Sequence, residues 1–255
     1  MRVVLSIAGS DSSAGAGIQQ DLKTITALGN YAATVITAIT SQNTMGVHGV
    51  MSVPGEVVAQ QISVVLDDLD VRAIKIGMIP NLEVAEAIVG VLSDAKYNIL
   101  KPNHPIPVVL DPVMISTSGT RLMSEDCVEY VVKHLMPLCS LVTPNIPEMQ
   151  YLETILHGEY PANFLIKGGH SEGEDMTDRL RLLNGSVYTY TEKRISTSNL
   201  HGTGCTLSSA IASYLAEGYS LIDAVGKGKQ YLTQAIIKGK DQSVGHGNGP
   251  LGISQ

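Results

Sequence analysis

Short runs of branched apolar residues alternate along the chain with longer stretches in which apolar positions recur at helical spacing. The short runs predict buried strands, and the longer stretches predict helices with one apolar face. We predict strands at residues 3–7, 32–39, 73–78, 108–110, 141–142 and 164–166. We predict helices at residues 18–28, 55–69, 82–92, 125–135, 206–216 and 221–238, with another opening at Pro147. The alternating stretch 187–191 predicts part of an antiparallel hairpin.

The order of these elements predicts the fold class. Strands and helices alternate from one end of the chain to the other, which predicts an α/β protein with a mostly parallel central sheet and helices on both faces. Residues 1–255 contain no linker, internal repeat, low-complexity segment or run of charge, so we predict a single domain. Ligands of such sheets bind at the carboxyl ends of the strands.

A polar, glycine-rich segment at residues 198–206 leads into one predicted helix. Gly202, Thr203 and Gly204 would point free backbone N–H groups at one spot, where the helix dipole favours an anion such as phosphate. Cys205 would lie in the first helical turn, where we expect these groups to lower its thiol pKa. The segment predicts a phosphate cradle beside an ionisable side chain. An ordinary helix start with a buried cysteine is the alternative.

A second glycine-rich segment, residues 8–17, joins the first strand to the first helix. It lacks the third glycine of a dinucleotide fingerprint and the lysine of a P-loop, so both of those nucleotide-binding classes are excluded. Its small residues would let a flat ligand lie against the backbone.

Charged residues follow several predicted strands. Asp111 comes directly after strand 108–110, and Glu148 lies in the first turn of the helix that Pro147 opens. Each fits a structural cap, but together with the cradle they suit Mg²⁺, which binds one or two carboxylates plus phosphates. Lys167, after strand 164–166, would supply a positive charge for a phosphate, with a solvated surface lysine as the alternative.

Charge and cysteine content limit the compartment and the partners. The formal net charge of −7 argues against nucleic acid as the main partner. The three cysteines show no CxxC spacing and their odd number fits no closed disulfide framework, so we expect the reducing cytoplasm. The apolar run at the N-terminus is too short for a signal peptide, and no stretch is long enough to span a membrane.

A series of motifs in fixed order resembles one family. It includes residues 6–19 (SIAGSDSSAGAGIQ), 42–44 (QNT), 75–78 (KIGM), 111–114 (DPVM), 143–145 (TPN), 167–170 (KGGH) and 201–206 (HGTGCT). In this order they resemble the hydroxymethylpyrimidine and phosphomethylpyrimidine kinases of thiamine biosynthesis, members of the ribokinase-like superfamily. The resemblance runs from Ser6 to the glycine-rich tail at 245–250. It implies a three-layer ribokinase-like fold and commonly a homodimer.

The resemblance also implies an activity and the residues that perform it. The enzyme would use ATP and Mg²⁺ to phosphorylate 4-amino-5-hydroxymethyl-2-methylpyrimidine and then its monophosphate. Around the pyrimidine, it implies a hydrogen bond from Gln42 and surroundings formed by Ala16, Asp21, Met78 and Val113.

For phosphoryl transfer, the resemblance implies a further set of roles. Cys205 would be the catalytic base, with Gly202, Thr203 and Gly204 as the anion hole. Asp111 and Glu148 would hold Mg²⁺, and Asn145 and Lys167 would contact the ATP phosphates. His201 is a candidate for orienting the cradle turn.

Two of three departures from the family pattern concern the site, and two alternative functions stay open. The segment between Glu148 and Lys167 is short for the family, and Ala14 stands where glycine is usual. Pyridoxal kinase is the nearest alternative, because both substrates are flat heteroaromatic rings with a hydroxymethyl arm. A non-catalytic sensor that binds the pyrimidine is the alternative from another class.

Overall fold

The computed structural model describes residues 1–97, 99–100, 105–114, 122–170 and 174–253. Within this part of the chain, nine strands form one sheet in the order β3-β2-β1-β4-β5-β6-β7-β8-β9. The strands are β1 (Val3–Asp11), β2 (Tyr31–Asn43), β3 (Gly46–Ser52), β4 (Val71–Ile76), β5 (Val108–Leu110), β6 (Leu141–Val142), β7 (Asn163–Ile166), β8 (Asp175–Arg181) and β9 (Val187–Lys193). From β2 to β7 neighbouring strands are parallel, whereas β3, β8 and β9 are antiparallel additions at the two edges.

Helices cover both faces of the sheet. They are α1 (Gly17–Ala27), α2 (Gly55–Asp68), α3 (Leu82–Leu92), α4 (Glu125–Tyr130), α5 (Ile146–Leu156), α6 (Thr203–Ala216) and α7 (Leu221–Gly239). Helices α2 to α5 pack on one face, and α1, α6 and α7 pack on the other. Alternate residues of β1 serve the two cores, since Val4 joins one and Leu5 and Ile7 join the other. The predicted three-layer α/β architecture is confirmed.

The edges of the sheet differ most from the prediction. Strand β2 continues to Asn43, and β3, which the pattern did not predict, pairs with its polar end in antiparallel register. At the other edge β9 matches the predicted hairpin strand, but its partner β8 carries four charged residues among seven and gives no apolar alternation. Strands β3 and β8 were missed for the same reason. A strand near the edge of a sheet gains its backbone hydrogen bonds from a neighbour without burying both faces, so it needs no apolar pattern.

The central strands bring the candidate chemistry to one edge. Asp11 ends β1, Asp111 follows β5, and Lys167 follows β7, so all three lie at the carboxyl ends of parallel strands of the same sheet. Helix α6 begins at the same edge, three residues earlier than predicted. The predicted helix 125–135 is instead α4 followed by a π-helical turn, Val131–Leu135. Among the described residues, no helix combines the length and the apolar character that crossing a membrane requires.

Candidate active site

A cavity of about 1020 Å³ lies at the carboxyl edge of the sheet. All of the residues that the sequence assigned to the site line it, with the exception of Asp21. We call the part around Gln42, Met78, Asp11 and His201 the ring end. We call the part around Asp111, Glu148, Lys167 and Cys205 the phosphate end. Residues more than 150 positions apart in the chain thus meet in one cavity, because β1, β5 and β7 end beside the start of α6.

The cradle between the two ends requires its glycines. Gly202 caps α6 with a positive φ of 86°, and a Cβ there would collide with the backbone carbonyl of Gly15. A Cβ on Gly204 would lie 3.0 Å from Asp111 Oδ2 and 3.5 Å from Lys167 Nζ. The first turn of α6 therefore approaches both the loop before α1 and the charged side chains without a side chain of its own intervening. The N–H of Thr203 donates to the carbonyl of Leu200 at 3.3 Å, and the other N–H groups of this first turn suit a phosphate bound in the cavity.

The phosphate end is held by opposite charges. Lys167 Nζ donates to Asp111 Oδ1 at 2.7 Å, and the hydroxyl of Thr143 donates to the same oxygen at 3.2 Å. Burial by itself would lower the pKa of Lys167, but the charges of Asp111 and Glu148 outweigh it and raise that pKa above its ordinary value. Lys167 is therefore an ammonium at neutral pH, placed between two carboxyl groups.

Glu148 is both a helix cap and a cavity residue. Its Oε2 accepts the backbone N–H of Asn145 at 2.8 Å, and the side chain of Asn145 accepts the backbone N–H of Glu148 at 2.8 Å. Asn145 also bridges Lys167 in parallel register, so the short segment after Glu148 still brings these residues side by side. Burial, together with the negative charge of Asp111, raises the pKa of Glu148, while Lys167 opposes the shift.

The prediction of a lowered thiol pKa for Cys205 is wrong. Burial raises this pKa to about 11, and the charges of Asp21 and Asp111 raise it further. Lys75 and the backbone N–H of Gly17 act in the opposite direction but do not compensate. Desolvation of the thiolate thus exceeds the favourable field of the helix start, and Cys205 is a thiol at neutral pH.

Asp21 is the exception among the predicted site residues, and the structure corrects its role. It is fully buried, and its carboxylate accepts hydrogen bonds from Ser6, Lys75 and Ser209, so no oxygen is turned to the cavity for a substrate. Its main partner Lys75, at 2.7 Å, is itself fully buried yet lines the cavity. The sequence analysis missed Lys75, although a lysine inside the apolar strand β4 is a signal for a buried charge with a partner.

The ring end combines apolar side chains with a hydrogen-bonded group of polar ones. Met78 is 9% exposed and Val113 is half-buried, and both line the cavity with Ala16. Gln42 also lines the cavity, with its amide near Thr40 and His201. His201 in turn contacts Asp11 at 2.9 Å, and a Cβ on Gly15 would collide with its imidazole ring. This combination suits a flat heteroaromatic ring with one polar edge.

The donors of the phosphate end fit a magnesium ion. Asp111 and Glu148 supply two buried carboxyl groups beside a cradle of N–H groups, which is the set that Mg²⁺ uses together with phosphate oxygens. No group of three or more His, Cys, Asp or Glu side chains suited to a metal occurs among the described residues. Two carboxyl groups complete a magnesium site only with the phosphates of a bound nucleotide.

Comparison with known proteins identifies the family. The family model described as phosphomethylpyrimidine kinase matches residues 11–252. The hydroxymethylpyrimidine/phosphomethylpyrimidine kinase of Rhizobium meliloti is 43% identical, over 98% of this chain and 96% of that protein. The solved phosphomethylpyrimidine kinase of Clostridium difficile is 43% identical with a TM-score of 0.77, over 92% of this chain and all of that one.

A neighbouring activity shares the fold. The pyridoxal kinase of Staphylococcus aureus, solved in complex with ADP, is 30% identical with a TM-score of 0.83, over 99% of this chain and 94% of that one. The Rhizobium meliloti kinase is nonetheless more similar in sequence than this pyridoxal kinase, and the family model matches nearly the whole chain. The chain therefore belongs to the phosphomethylpyrimidine kinase family and is a kinase with the ribokinase-like fold.

Proposed function

We propose that the protein uses ATP to phosphorylate 4-amino-5-hydroxymethyl-2-methylpyrimidine and then the resulting monophosphate, as a step of thiamine biosynthesis. The observation that carries the proposal is the single cavity that joins the ring end to the phosphate end across the glycine cradle. A pyrimidine at Gln42 and Met78 would have its hydroxymethyl arm directed along the cavity toward Cys205. The membership of the family supports the same substrate class.

At the ring end, the side chains bind and orient the acceptor. Met78 and Val113 offer apolar surface to a flat ring, and Ala16 lines the cavity beside them. Gln42 supplies an amide, which carries one donor and one acceptor side by side. Holding the hydroxymethyl oxygen in line with the transferred phosphorus is itself a large part of the catalysis.

At the centre, Cys205 acts as the catalytic base. Its thiolate takes the proton of the hydroxymethyl group, or of the phosphate in the second step, while that oxygen bonds to the γ-phosphorus of ATP and the bond to the leaving ADP breaks. Because the pKa of Cys205 is about 11, only ~10⁻⁴ of the protein carries the thiolate at pH 7. The buried ammonium of Lys75 favours the charged form.

At the phosphate end, positive groups stabilise the charge of the transferred phosphoryl group. Lys167 and the backbone N–H groups of residues 202–204 would contact its oxygens, with Asn145 beside them. Asp111 and Glu148 would hold Mg²⁺, which would supply positive charge to neutralise the phosphates of the nucleotide. Fixed donors of this kind need no reorganisation during the reaction.

Pyridoxal kinase is the second candidate function. The close structural likeness to the Staphylococcus aureus pyridoxal kinase favours it, and the apolar ring end does not by itself exclude a pyridine ring. A sensor without turnover is less well supported, because Asp111, Glu148, Lys167 and Cys205 all line the cavity.

One assay separates these functions. ATP consumption is measured with Mg²⁺ and, in parallel, hydroxymethylpyrimidine, its monophosphate or pyridoxal. We expect turnover of both pyrimidines well above that of pyridoxal. A preference for pyridoxal would replace the proposed function with vitamin B6 salvage. Tight binding of the pyrimidine with no turnover of any substrate would support the sensor.

We further propose that the chain forms a single domain, that it works as a homodimer, and that it is located in the cytoplasm. The one continuous sheet supports the single domain. At the open edge of the sheet, Met45, Val50 and Met51 are 63%, 45% and 60% exposed, which supports an association of two copies there. Sedimentation velocity of the purified chain at several concentrations tests the dimer, and a monomer at all of them would exclude it.

A further inference from the structure

Asp11 and His201 form a pair that the proposed mechanism does not use. The carboxylate of Asp11 accepts the backbone N–H groups of Ser13, Gly15 and Ala16 and the hydroxyl of Ser13, at 2.8 to 3.0 Å. It also contacts His201 Nε2 at 2.9 Å. The pair is buried, with side-chain exposures of 3% for Asp11 and 10% for His201. It connects the loop before α1 to the turn before the cradle.

The partners of His201 determine where its proton lies. Burial opposes the charge of Asp11, but the hydrogen bonds of His201, Ser13 and Ala16 outweigh it and lower the Asp11 pKa to about 2. An ionised carboxylate only accepts hydrogen bonds, so His201 Nε2 carries a proton and donates it to Asp11. This nitrogen therefore has no lone pair left to accept a bond from Gln42.

The amide of Gln42 meets His201 at one end and Thr40 at the other. Its nitrogen lies 3.3 Å from His201 Nε2, and its oxygen lies 3.2 Å from Thr40 Oγ1. The first contact brings two donors together. The single proton of Thr40 goes to the carbonyl of Ser10 at 2.8 Å, so the second contact brings two acceptors together. A half-turn of the amide resolves both contacts. Its nitrogen then donates to Thr40 Oγ1, and its oxygen accepts the longer arm of a three-centre bond in which the single Nε2–H of His201 also donates to Asp11.

We propose that His201, held by Asp11, is the positioning residue that orients the amide of Gln42 and so sets which ring edge the protein prefers. In this orientation the second lone pair of the oxygen and the second N–H of the nitrogen remain for a ligand. A ring nitrogen next to an exocyclic amino group complements that pair, because it offers one acceptor and one donor. This inference rests on the proposed function and deepens it.

The preference for an aminopyrimidine over pyridoxal follows from this orientation. A site built to pair with an amino group discriminates less between ligands with and without that group when its own polar groups are no longer held in one orientation. Removing the hydrogen bond of His201 should therefore weaken binding of hydroxymethylpyrimidine more than binding of pyridoxal. The effect falls on binding of the ring, since the described side-chain hydrogen-bond partners of His201 are Gln42 and Asp11, and neither is assigned to phosphoryl transfer.

The experiment is a double-mutant cycle read by calorimetric binding, without ATP, of hydroxymethylpyrimidine and of pyridoxal. The variants are His201→Leu, Gln42→Ala and the combination of the two. We expect each single change to raise the Kd for hydroxymethylpyrimidine about tenfold, and the double variant to raise it no further than the larger single one. The Kd for pyridoxal should rise less than about threefold in each variant.

Two further variants keep the test independent of folding. In His201→Gln an amide nitrogen replaces the ring nitrogen as donor to Asp11, so it should restore most of the affinity. His134→Leu makes the same change at an exposed histidine and should leave both Kd values unchanged. Thermal unfolding of every variant checks its fold.

The outcomes separate this inference from the proposed function. Independent effects that multiply in the double variant, or equal losses for both rings, would overturn the positioning role of His201 while leaving the kinase intact. Failure of the unaltered protein to bind the pyrimidine would overturn the proposed function and this inference with it.

Discussion

The two ends of the cavity are organised by different interactions. At the ring end, Asp11 fixes the loop before α1 through several backbone N–H groups and is hydrogen-bonded to His201. At the phosphate end, Lys167 faces Asp111 at 2.7 Å, and the buried ammonium of Lys75 lies near Cys205 and Asp111. A fixed network of short hydrogen bonds suits binding of a ground state. Facing charges suit a reaction in which charge moves.

The comparison predicts that changes at the two ends affect different kinetic constants. Contacts that bind substrate and transition state equally affect KM, whereas contacts made only in the transition state affect kcat. The ring end should therefore control KM for the pyrimidine, and the phosphate end should control kcat.

The largest expected effect is that of Cys205→Ala. Without the base, we expect kcat to fall by ~10²–10⁴-fold, while the Kd for the pyrimidine stays within about twofold. Turnover close to that of the unaltered protein would remove Cys205 from the mechanism. Cys139→Ala is the matched control, because this cysteine is buried against Leu135, outside the residues lining the cavity, and its loss should leave kcat unchanged.

The pH dependence of Cys205 sharpens this test. Its pKa of about 11 lies above the ordinary value of 9.0, so the thiolate fraction rises about tenfold per pH unit between pH 7 and pH 10. We expect kcat to rise with pH over this range in the unaltered protein and to stay flat in Cys205→Ala. A rise of equal slope in both proteins would assign the titration to another group.

The next prediction compares one variant at each end of the cavity. Lys167→Met should lower kcat by ~10²–10³-fold, since it removes a fixed charge from the phosphate end, with little change of KM for the pyrimidine. Gln42→Ala at the ring end should raise that KM about tenfold and change kcat less than about threefold. Steady-state kinetics with each substrate varied in turn measures both. If Lys167→Met raised KM for the pyrimidine as strongly as Gln42→Ala, the division into two ends would be wrong.

From the sequence, we predicted which residues meet at the phosphate end, but not the pKa of Cys205. Asp111, Glu148 and Lys167 follow buried strands, and the ends of neighbouring parallel strands meet in space, so their convergence needed no more than the order of elements. The pKa of Cys205 depends on how much water the surrounding elements exclude, and no local pattern carries that quantity. Lys75 and Asp21 illustrate the same limit, because their pairing joins β4 to α1 across the fold.

At the ring end, the sequence likewise indicated the local motif but not the long-range contact that holds it. The glycine-rich loop was recognisable from its composition, but the bond between Asp11 and His201 spans 190 positions. Strand β3 was missed because its register depends on its neighbour β2. Features set by a partner segment, whether distant in the chain like His201 or adjacent like β2, required the structure.

A smaller effect should come from Asp11→Asn, and it concerns stability. The pKa of Asp11 is about 2 in the folded protein against an ordinary 3.8, so the ionised carboxylate stabilises the fold by about 2 kcal/mol. This contribution is complete above about pH 4 and is lost as pH falls through the folded pKa. Urea unfolding should therefore show Asp11→Asn less stable by about 2 kcal/mol at pH 7, with the difference shrinking toward pH 2. A difference independent of pH would mean that packing, not charge, makes Asp11 important.

The smallest expected effect is that of Ala14→Gly in the same loop. Ala14 has a φ of 60°, in the left-handed region, where an alanine costs about 1 kcal/mol relative to glycine. Glycine relieves that cost but adds ~0.4–1 kcal/mol of freedom to the unfolded chain, so the free energy of unfolding should change by less than ~0.5 kcal/mol. Because Asp11 fixes the backbone on both sides of Ala14, KM for the pyrimidine should also stay within about twofold. Ala59→Gly inside α2, where φ is helical, is the control and should destabilise by ~1 kcal/mol. A several-fold rise of KM in Ala14→Gly would show that the loop depends on the stiffness of Ala14, and that the hydrogen bonds to Asp11 do not suffice to fix the ring end.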